Sequence, residues 1–331
     1  MTTVAVIGSG VVGRRVARQL AASGLVDRLI LGARRPQRMH GFVRQLIDLD
    51  IEVIAPGPLP AADVTVLAQP PGGHTELAEE ALGNESHVVS LSDSLNDVEG
   101  LLGLEETAMK VDRSVIVGAA FSPGLSCLLA RHGGKRFDHV DEIHVARMGT
   151  GGPSCQRQLH RARTQEAVEW RDRSWVKRPS GSGRELVWFP DPLGASDCYR
   201  AALVDPLLLS ASFPEVDRIT AKVAATRRDR LTAWLPMLRR PHKDGGPGAV
   251  RIEMRGIQDS VQTTEVLGAI DHPSSAAAAV AAIAAEWSLL GLLPSGSWSL
   301  GMLDNPLPWL QELENRGISA AIYEGISTTQ E

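Results

Sequence analysis

A short apolar, β-branched run, Thr3-Val4-Ala5-Val6-Ile7, breaks at once into Gly8-Ser9-Gly10-Val11-Val12-Gly13. Three glycines at this spacing, after a strand and at the opening of a helix, leave few folds available. Gly8 permits a tight turn, Gly10 lets a backbone approach a pyrophosphate, and Gly13 lets helix and strand pack closely. The phosphates would lie on the helix N-terminus. Gly8, Ser9, Gly10, Val11, Val12 and Gly13 are therefore expected to bind a dinucleotide, the alternative being a tight turn without a ligand. Val16, Leu20 and Ala21 continue the helix at helical spacing, and Gly24 closes it.

Strand and helix then alternate. Strands are expected over 28–31, 52–54, 63–68, 87–91 and 114–118, which with 3–7 makes six. Helices are expected over 41–48 and 75–82. Apolar strands alternating with helices mean a parallel sheet covered on both faces. From about Asp141 the texture changes. Residues 141–146, 220–225 and 250–256 alternate as strands with one wet face do. Residues 175–178 and 185–189 flank Pro179-Ser180-Gly181-Ser182-Gly183 and read as a hairpin. Helices are expected over 195–209, 230–238 and 275–290. The fold class is thus α/β: an N-terminal Rossmann domain with a doubly wound parallel sheet, then an α+β domain with a mixed or antiparallel sheet.

The end of the second strand bears on which dinucleotide. An NAD site usually places Asp or Glu there against the ribose 2′-hydroxyl. This chain has Gly32-Ala33-Arg34-Arg35, without an acid. A guanidinium can pair with a 2′-phosphate and stack on adenine. Arg34 and Arg35 therefore point to NADP(H), or else to a solvated loop. Gln69, Pro70 and Pro71 follow the fourth strand, where they would touch ribose or nicotinamide or simply make the turn. Ser92 and Asp93 follow the fifth, Ser92 expected to contact the cofactor and Asp93 reading as a helix cap or a polar site residue. Phe121-Ser122-Pro123-Gly124-Leu125 follows the sixth, with Phe121 and Ser122 expected to contact the cofactor, a structural turn being the alternative. The small residues Gly118, Ala119 and Ala120 before it would allow a nicotinamide to come close.

Composition excludes several classes. The formal net charge of −5 offers no positive field to nucleic acid or anionic lipid. Cys127, Cys155 and Cys198 are odd in number, far apart and in no CxxC pair, which fits a reducing cytoplasm better than a disulfide framework or a zinc site. No basic secretory n-region opens the chain. The apolar stretch 276–293 is mostly alanine and carries Glu286, so it reads as a buried, close-packing helix rather than a membrane span. The histidines do not cluster at metal-ligand spacing, and no metal is expected. All seven tryptophans lie after residue 150, where they suit core, subunit interface or an apolar pocket.

Gly151-Gly152-Pro153-Ser154 marks a helix start, with Pro153 in the first turn. If that helix continues to about Ala167, Arg157, His160 and Arg161 share a face. They could hold a carboxylate and hand a proton to a developing amine. A basic surface helix or dimer contact is the alternative. Arg163 points away from that face and reads as solvated. Cys155 has no basic partner fixed for it and reads as packing.

The N-terminal fingerprint, Ser90-Leu91-Ser92-Asp93 and Gly118-Ala119-Ala120-Phe121-Ser122-Pro123-Gly124-Leu125 together resemble the saccharopine dehydrogenase-like reductases. The resemblance is good over residues 1–130. It weakens in the second domain, where the strand pattern and 250–256 carry it. Residues 291–317, with Arg316-Gly317-Ile318, are similar to that family's final return to the nucleotide domain. The resemblance implies a Rossmann domain over 1–130, a substrate and dimerisation domain over 131–290, and a returning segment over 291–331. It also implies a homodimer, and NADP-linked hydride transfer at a C–N bond in the inter-domain cleft, on a small molecule carrying an amino-acid carboxylate. No family carboxylate clamp can be placed on this chain. Asp93, Arg157 and His160 are the expected catalytic residues, with Ser122 assisting orientation.

Two other readings stand beside it. A dehydrogenase acting on a carbonyl or alcohol often has a lysine–proline pair near the fifth strand, where this chain has Ser92-Asp93-Ser94. A non-catalytic NADP-binding homologue would keep the fold and lack the chemistry.

Overall fold

The computed structural model describes residues 1–46, 49–237 and 241–323. The chain divides into two compact units: Met1–Ala120 with Ser274–Ser299, and Phe121–Pro273 with the chain from Leu300 onward.

In the first unit, β1 (Thr3–Ile7), β2 (Arg28–Gly32), β3 (Asp50–Ile54), β4 (Val64–Leu67), β5 (His87–Ser90) and β6 (Ser114–Val117) form a parallel sheet. The order is β6-β5-β4-β1-β2-β3, reversing direction between β1 and β4. β4 and β6 are buried at every position, as strands covered on both faces must be. A seventh strand, Gly296–Ser299, pairs in parallel with β6. Six strands are legible in the sequence; this one is not, because Gly-Ser-Trp-Ser carries no apolar run. Polar bonds seat it instead: Ser297 donates its N–H to the Glu105 carboxylate and its hydroxyl to the Leu101 carbonyl at 2.7 Å.

Of the helix expected over 41–48, the described part is a 3-10 turn (Pro36–Met39) followed by His40–Val43; residues 47 and 48 lie outside the described residues. The alanine-rich helix runs Pro273–Leu289, and Ala276 through Ala285 are all buried. Among the described residues no helix is long and apolar enough to cross a membrane.

The second unit holds β7 (His139–Met148), β8 (Ala167–Arg171), β9 (Ser174–Arg178), β10 (Glu185–Phe189), β11 (Gly194–Arg200), β12 (Arg218–Ala224), β13 (Gly248–Gln258) and β14 (Val261–Asp271). With Gly296–Ser299 counted as β15, the last strand is β16 (Ser319–Tyr323). The sheet order is β10-β11-β12-β7-β13-β14-β16, with β8 and β9 branching from β12. Among the described residues only β7 and β12 pair in parallel, so the sheet is mixed. The helix Leu125–Gly134 packs on this sheet through two bare positions. A Cβ on Gly133 would press on Leu267 and Met254, and one on Gly134 on Phe213.

Three local expectations fail here. The strands flanking 179–183 do not pair with each other: β9 pairs with β8, and β10 with β11. Asp172 and Arg173, both left-handed at φ 48° and 58°, make the two-residue β8–β9 turn and bring Trp170 opposite Trp175. The helix expected over 195–209 is a strand as far as Arg200, with Cys198 and Tyr199 buried; helix begins only at Asp205 (Asp205–Ser212). The helix expected over 230–238 is a short turn, Arg227–Leu231, opened by a Thr226/Asp229 capping box. Residue 238 lies outside the described residues.

Candidate functional site

In the first unit the glycine turn is shaped by its own backbone. Gly8 sits at φ 128°, and a Cβ there would meet the Ala68 carbonyl carbon and the Gln69 nitrogen at 2.5 Å. A Cβ on Gly13 would collide with the Gly8 carbonyl oxygen, whereas one on Gly10 would face open space. The helix Val11–Ala22 starts at Gly10 with no capping side chain and no acid in its first turn. Its leading N–H groups therefore present positive potential that no side chain of the turn answers. Arg14 steadies the loop, its Nε donating to the Ser9 carbonyl at 3.0 Å, and its guanidinium lies 5.4 Å from the Phe42 ring centre.

Arg34 and Arg35 are exposed just past β2, and their side chains have no hydrogen-bond or ion-pair partner among the described residues. Across the turn, both amide atoms of Gln69 are buried without a hydrogen-bond partner among the described residues. An orphaned buried amide is costly, and it calls for an acceptor and a donor from outside the chain. Bare Gly10, the uncapped helix and the Gln69 amide all fit a dinucleotide's pyrophosphate and ribose.

The neighbouring loop is built by a buried network. Asp97 accepts from the Gly72 N–H at 2.8 Å and from the Ser92 hydroxyl at 2.6 Å. His74, fully buried, donates Nε2–H to the Gln69 carbonyl at 3.3 Å, so its Nδ1 accepts from the Ser90 hydroxyl at 2.9 Å. Burial holds the His74 pKa below the ordinary histidine value, against the opposing pull of Asp97. Ser92 thus acts by holding the 70–73 loop, with its hydroxyl already spent. Pro70 is exposed, Pro71 half-buried, and Asp93 is half-buried and engaged within the protein.

Phe121 and Ser122 belong to the second unit and are buried. The Ser122 hydroxyl donates to the Asp205 carboxylate at 2.9 Å, and Ser126 donates to the same group at 2.6 Å. Arg147 Nη1 donates to the Ser122 carbonyl at 2.5 Å. Asp205 has no exposed surface and stands first in its helix, where a carboxylate is favoured. Burial, then this carboxylate, pushes the adjacent Cys127 thiol up to about 12. Sequence reasoning passed over Asp205; Asp205-Pro206 is a helix-start signal that an expected helix over 195–209 conceals.

The helix expected to continue to about Ala167 ends at Ala162, and Ala167 opens the strand β8 instead; its Arg157/His160/Arg161 face does not gather into a site. Arg157 and Arg161 are exposed, Arg157 reaching Ser154 at 3.3 Å, and His160 Nε2 donates to the Leu235 carbonyl at 2.8 Å. A different face, Gln156, Leu159 and the following Arg163, lines a cavity of about 590 Å³ with Thr150, His242 and His272. Arg163 is therefore not a solvated residue. Its Nη2 donates to the Ala224 carbonyl at 3.1 Å, and it also lines a second cavity of about 260 Å³. Burial lowers its pKa, with Asp229 opposing that shift and Arg147 adding to it.

The family described as NADP oxidoreductase, coenzyme F420-dependent, matches residues 3–94. Saccharopine dehydrogenase (L-Glu forming) from Saccharomyces cerevisiae superposes with a TM-score of 0.73 at 14% identity, over 98% of this chain and 100% of that one. DAP dehydrogenase from C. glutamicum, solved with DAP, gives 0.51 at 15% identity, over 94% and 98%. No curated protein sequence matches the chain. At these identities the likeness is one of fold, and the fold is that of NAD(P)-dependent oxidoreductases. The resemblance to the saccharopine dehydrogenase-like reductases holds at that level.

Proposed function

We propose that the chain is an NADP(H)-dependent oxidoreductase working at a carbon–nitrogen bond of a small amino-acid-derived substrate, by imine reduction or the reverse oxidation. The observation that carries the cofactor assignment is the end of β2: two exposed arginines whose side chains have no partner among the described residues, and no acid, one strand away from an uncapped glycine turn. Gly8 to Gly13 would hold the pyrophosphate, Arg34 and Arg35 the 2′-phosphate, and Gln69 with Pro70 and Pro71 the ribose side. When bound, that cofactor supplies the hydride.

The chain's own part is binding, orientation and proton handling. Ser92, His74 and Asp97 keep the 70–73 loop in place. The Asp205 carboxylate and Arg147 hold the Phe121–Ser122 backbone. His160 has its Nε2 committed to a carbonyl, so any proton it moves passes through Nδ1. Reaction at a C–N bond is supported by the two structural neighbours, both amino-acid dehydrogenases by name, and by the resemblance at 118–125. A homodimer belongs to the same reading, and light scattering at the mass of one chain would remove it.

The test of the chemistry is NADPH oxidation followed in mixtures of 2-oxo acids with amines and, in reverse, NADP⁺ reduction by amino acids. Turnover that needs both amine and oxo acid supports the assignment. Turnover with the carbonyl compound alone moves the enzyme to the alcohol and carbonyl class, and tight NADPH binding without turnover leaves the non-catalytic homologue.

A further inference from the structure

We propose that two copies of the chain join edge to edge through β10, Glu185–Phe189 of one pairing antiparallel with the same strand of the other about Val187. The inference deepens the homodimer of the preceding reading by naming its surface, and it does not depend on the redox chemistry.

β10 ends its sheet. It pairs with β11 on one side, and no strand takes its other side among the described residues. An edge strand presents a row of backbone N–H and C=O groups that another chain can pair with, and proteins usually blunt such rows with charge or cover. Three other edge strands of this chain are blunted. β3 carries Asp50 and Glu52, both ion-paired with Arg28. β9 carries Lys177 and Arg178, which face Glu166 and Glu169. Gly296–Ser299 is buried at every position.

β10 is left apolar. Its one charged residue, Glu185, is ion-paired with Lys222, and Leu186-Val187-Trp188-Phe189 follows. Val187 and Phe189 pack into a core cluster with Ala146, Cys198 and Ala249. Leu186 and Trp188 alternate to the opposite face, where they are 59% and 69% exposed. The chain's own core therefore uses one face of this strand, and its largest apolar side chain stands in water on the other.

The order of residues selects a second copy as the occupant. Pairing about Val187 sets Leu186 opposite the partner subunit's Trp188, and the two-fold axis repeats the pair. Opposed side chains in such a ladder have Cβ atoms about 4.5–5.5 Å apart, and an aromatic facing an aliphatic chain is a stabilising cross-strand pair. Neighbouring registers lose this match. Centring on Leu186 puts Trp188 against Arg184, and centring on Trp188 puts Leu186 against Pro190, which has no N–H to give. The contact is short, so the dimer should come apart on dilution.

Sedimentation velocity on the full chain, from about 1 to about 100 µM, reads this equilibrium. Wild type is expected to pass from monomer to dimer over that range. Leu186→Glu and Trp188→Lys should each weaken the dimer roughly tenfold or more. Both side chains are exposed, so circular dichroism should show each variant folded. Combining the two substitutions sets Glu opposite Lys in both cross-strand pairs and should recover much of the affinity, a gain that about 1 M salt removes.

A wild-type chain that is monomeric at about 100 µM overturns the proposal and the homodimer with it. A dimer indifferent to both single variants overturns the β10 interface and leaves the homodimer to another surface. A double variant that binds no better than the single ones overturns the register. Failure to bind NADPH, with these results obtained, would refute the proposed function and leave the interface standing.

Discussion

The glycine turn of the first unit and the cavity of the second both leave open space, but they are made differently. The turn is six consecutive residues whose backbone has no room for side chains at Gly8 and Gly13. The cavity is assembled from side chains more than a hundred positions apart, held by strands and loops that only tertiary structure brings together. Local steric necessity leaves a mark in sequence; a pocket made of scattered donors does not.

The sharpest way to break the comparison is to fill the turn. Gly13→Val drives a side chain into the Gly8 carbonyl, a backbone atom that cannot swing aside, and should cost about 3 kcal/mol or more. Urea unfolding reads this directly, and a wild-type midpoint would mean that the turn is not sterically fixed. The matching perturbation in the second unit is Asp205→Ala. It strips two buried serine hydroxyls of their acceptor and should cost about 2–3 kcal/mol, with Asp205→Asn costing less. Equal losses for the two variants would show that the carboxylate is not what holds the 121–126 segment.

A smaller effect probes the first unit by pH. His87 is half-buried in the first unit, and its Nδ1 accepts the Ser114 N–H at 3.1 Å, so the folded chain needs it neutral there. Burial, then Arg113, lowers its pKa from 6.5 to about 4. Above pH 6.5 the ring is neutral folded or unfolded, and pH has no effect through it. Between 6.5 and about 4 the unfolded chain takes the proton first, so stability falls as pH falls. Allowing for solvent screening, the loss should be about 1–2 kcal/mol. His74, lowered by burial, adds in the same direction. His87→Gln should flatten this slope, and an unchanged slope would remove His87 as its source.

The smallest effect carries the most information, because its two readouts have opposite signs. Gln69→Leu removes an amide buried without partners and should stabilise the free chain by about 1 kcal/mol while weakening NADPH binding several-fold. Destabilisation, or unchanged NADPH affinity, would show that the amide is not kept for a ligand.

Much of the first unit was legible because parallel strands buried on both faces read as apolar runs. The strand Gly296–Ser299 was not: it is short, half serine, and pairs with Ser114–Val117 from far along the chain. In the second unit the alternating strands were visible but their partners were not. Two tight left-handed turns, at Asp172-Arg173 and Asp259-Ser260, set the pairings, and neither has the glycine that usually announces such a turn. The candidate site divides the same way. Gly8 to Gly13, Arg34, Arg35 and Gln69 were found from position along the chain. Asp205, Arg147 and Arg163 act through partners tens of residues away, and the Arg157/His160 face, plausible by helical spacing, turned out to face solvent and a backbone carbonyl.

The most direct test of the central claim is a fluorescence titration of NADPH and NADH against the wild-type chain and an Arg34→Ala, Arg35→Ala double variant. Wild type should bind NADPH more tightly than NADH. The double variant should lose about 1.5–3 kcal/mol of NADPH affinity, roughly ten- to a hundredfold, with NADH little changed. Equal binding of the two nucleotides by wild type, or an NADPH affinity indifferent to both arginines, would contradict the account.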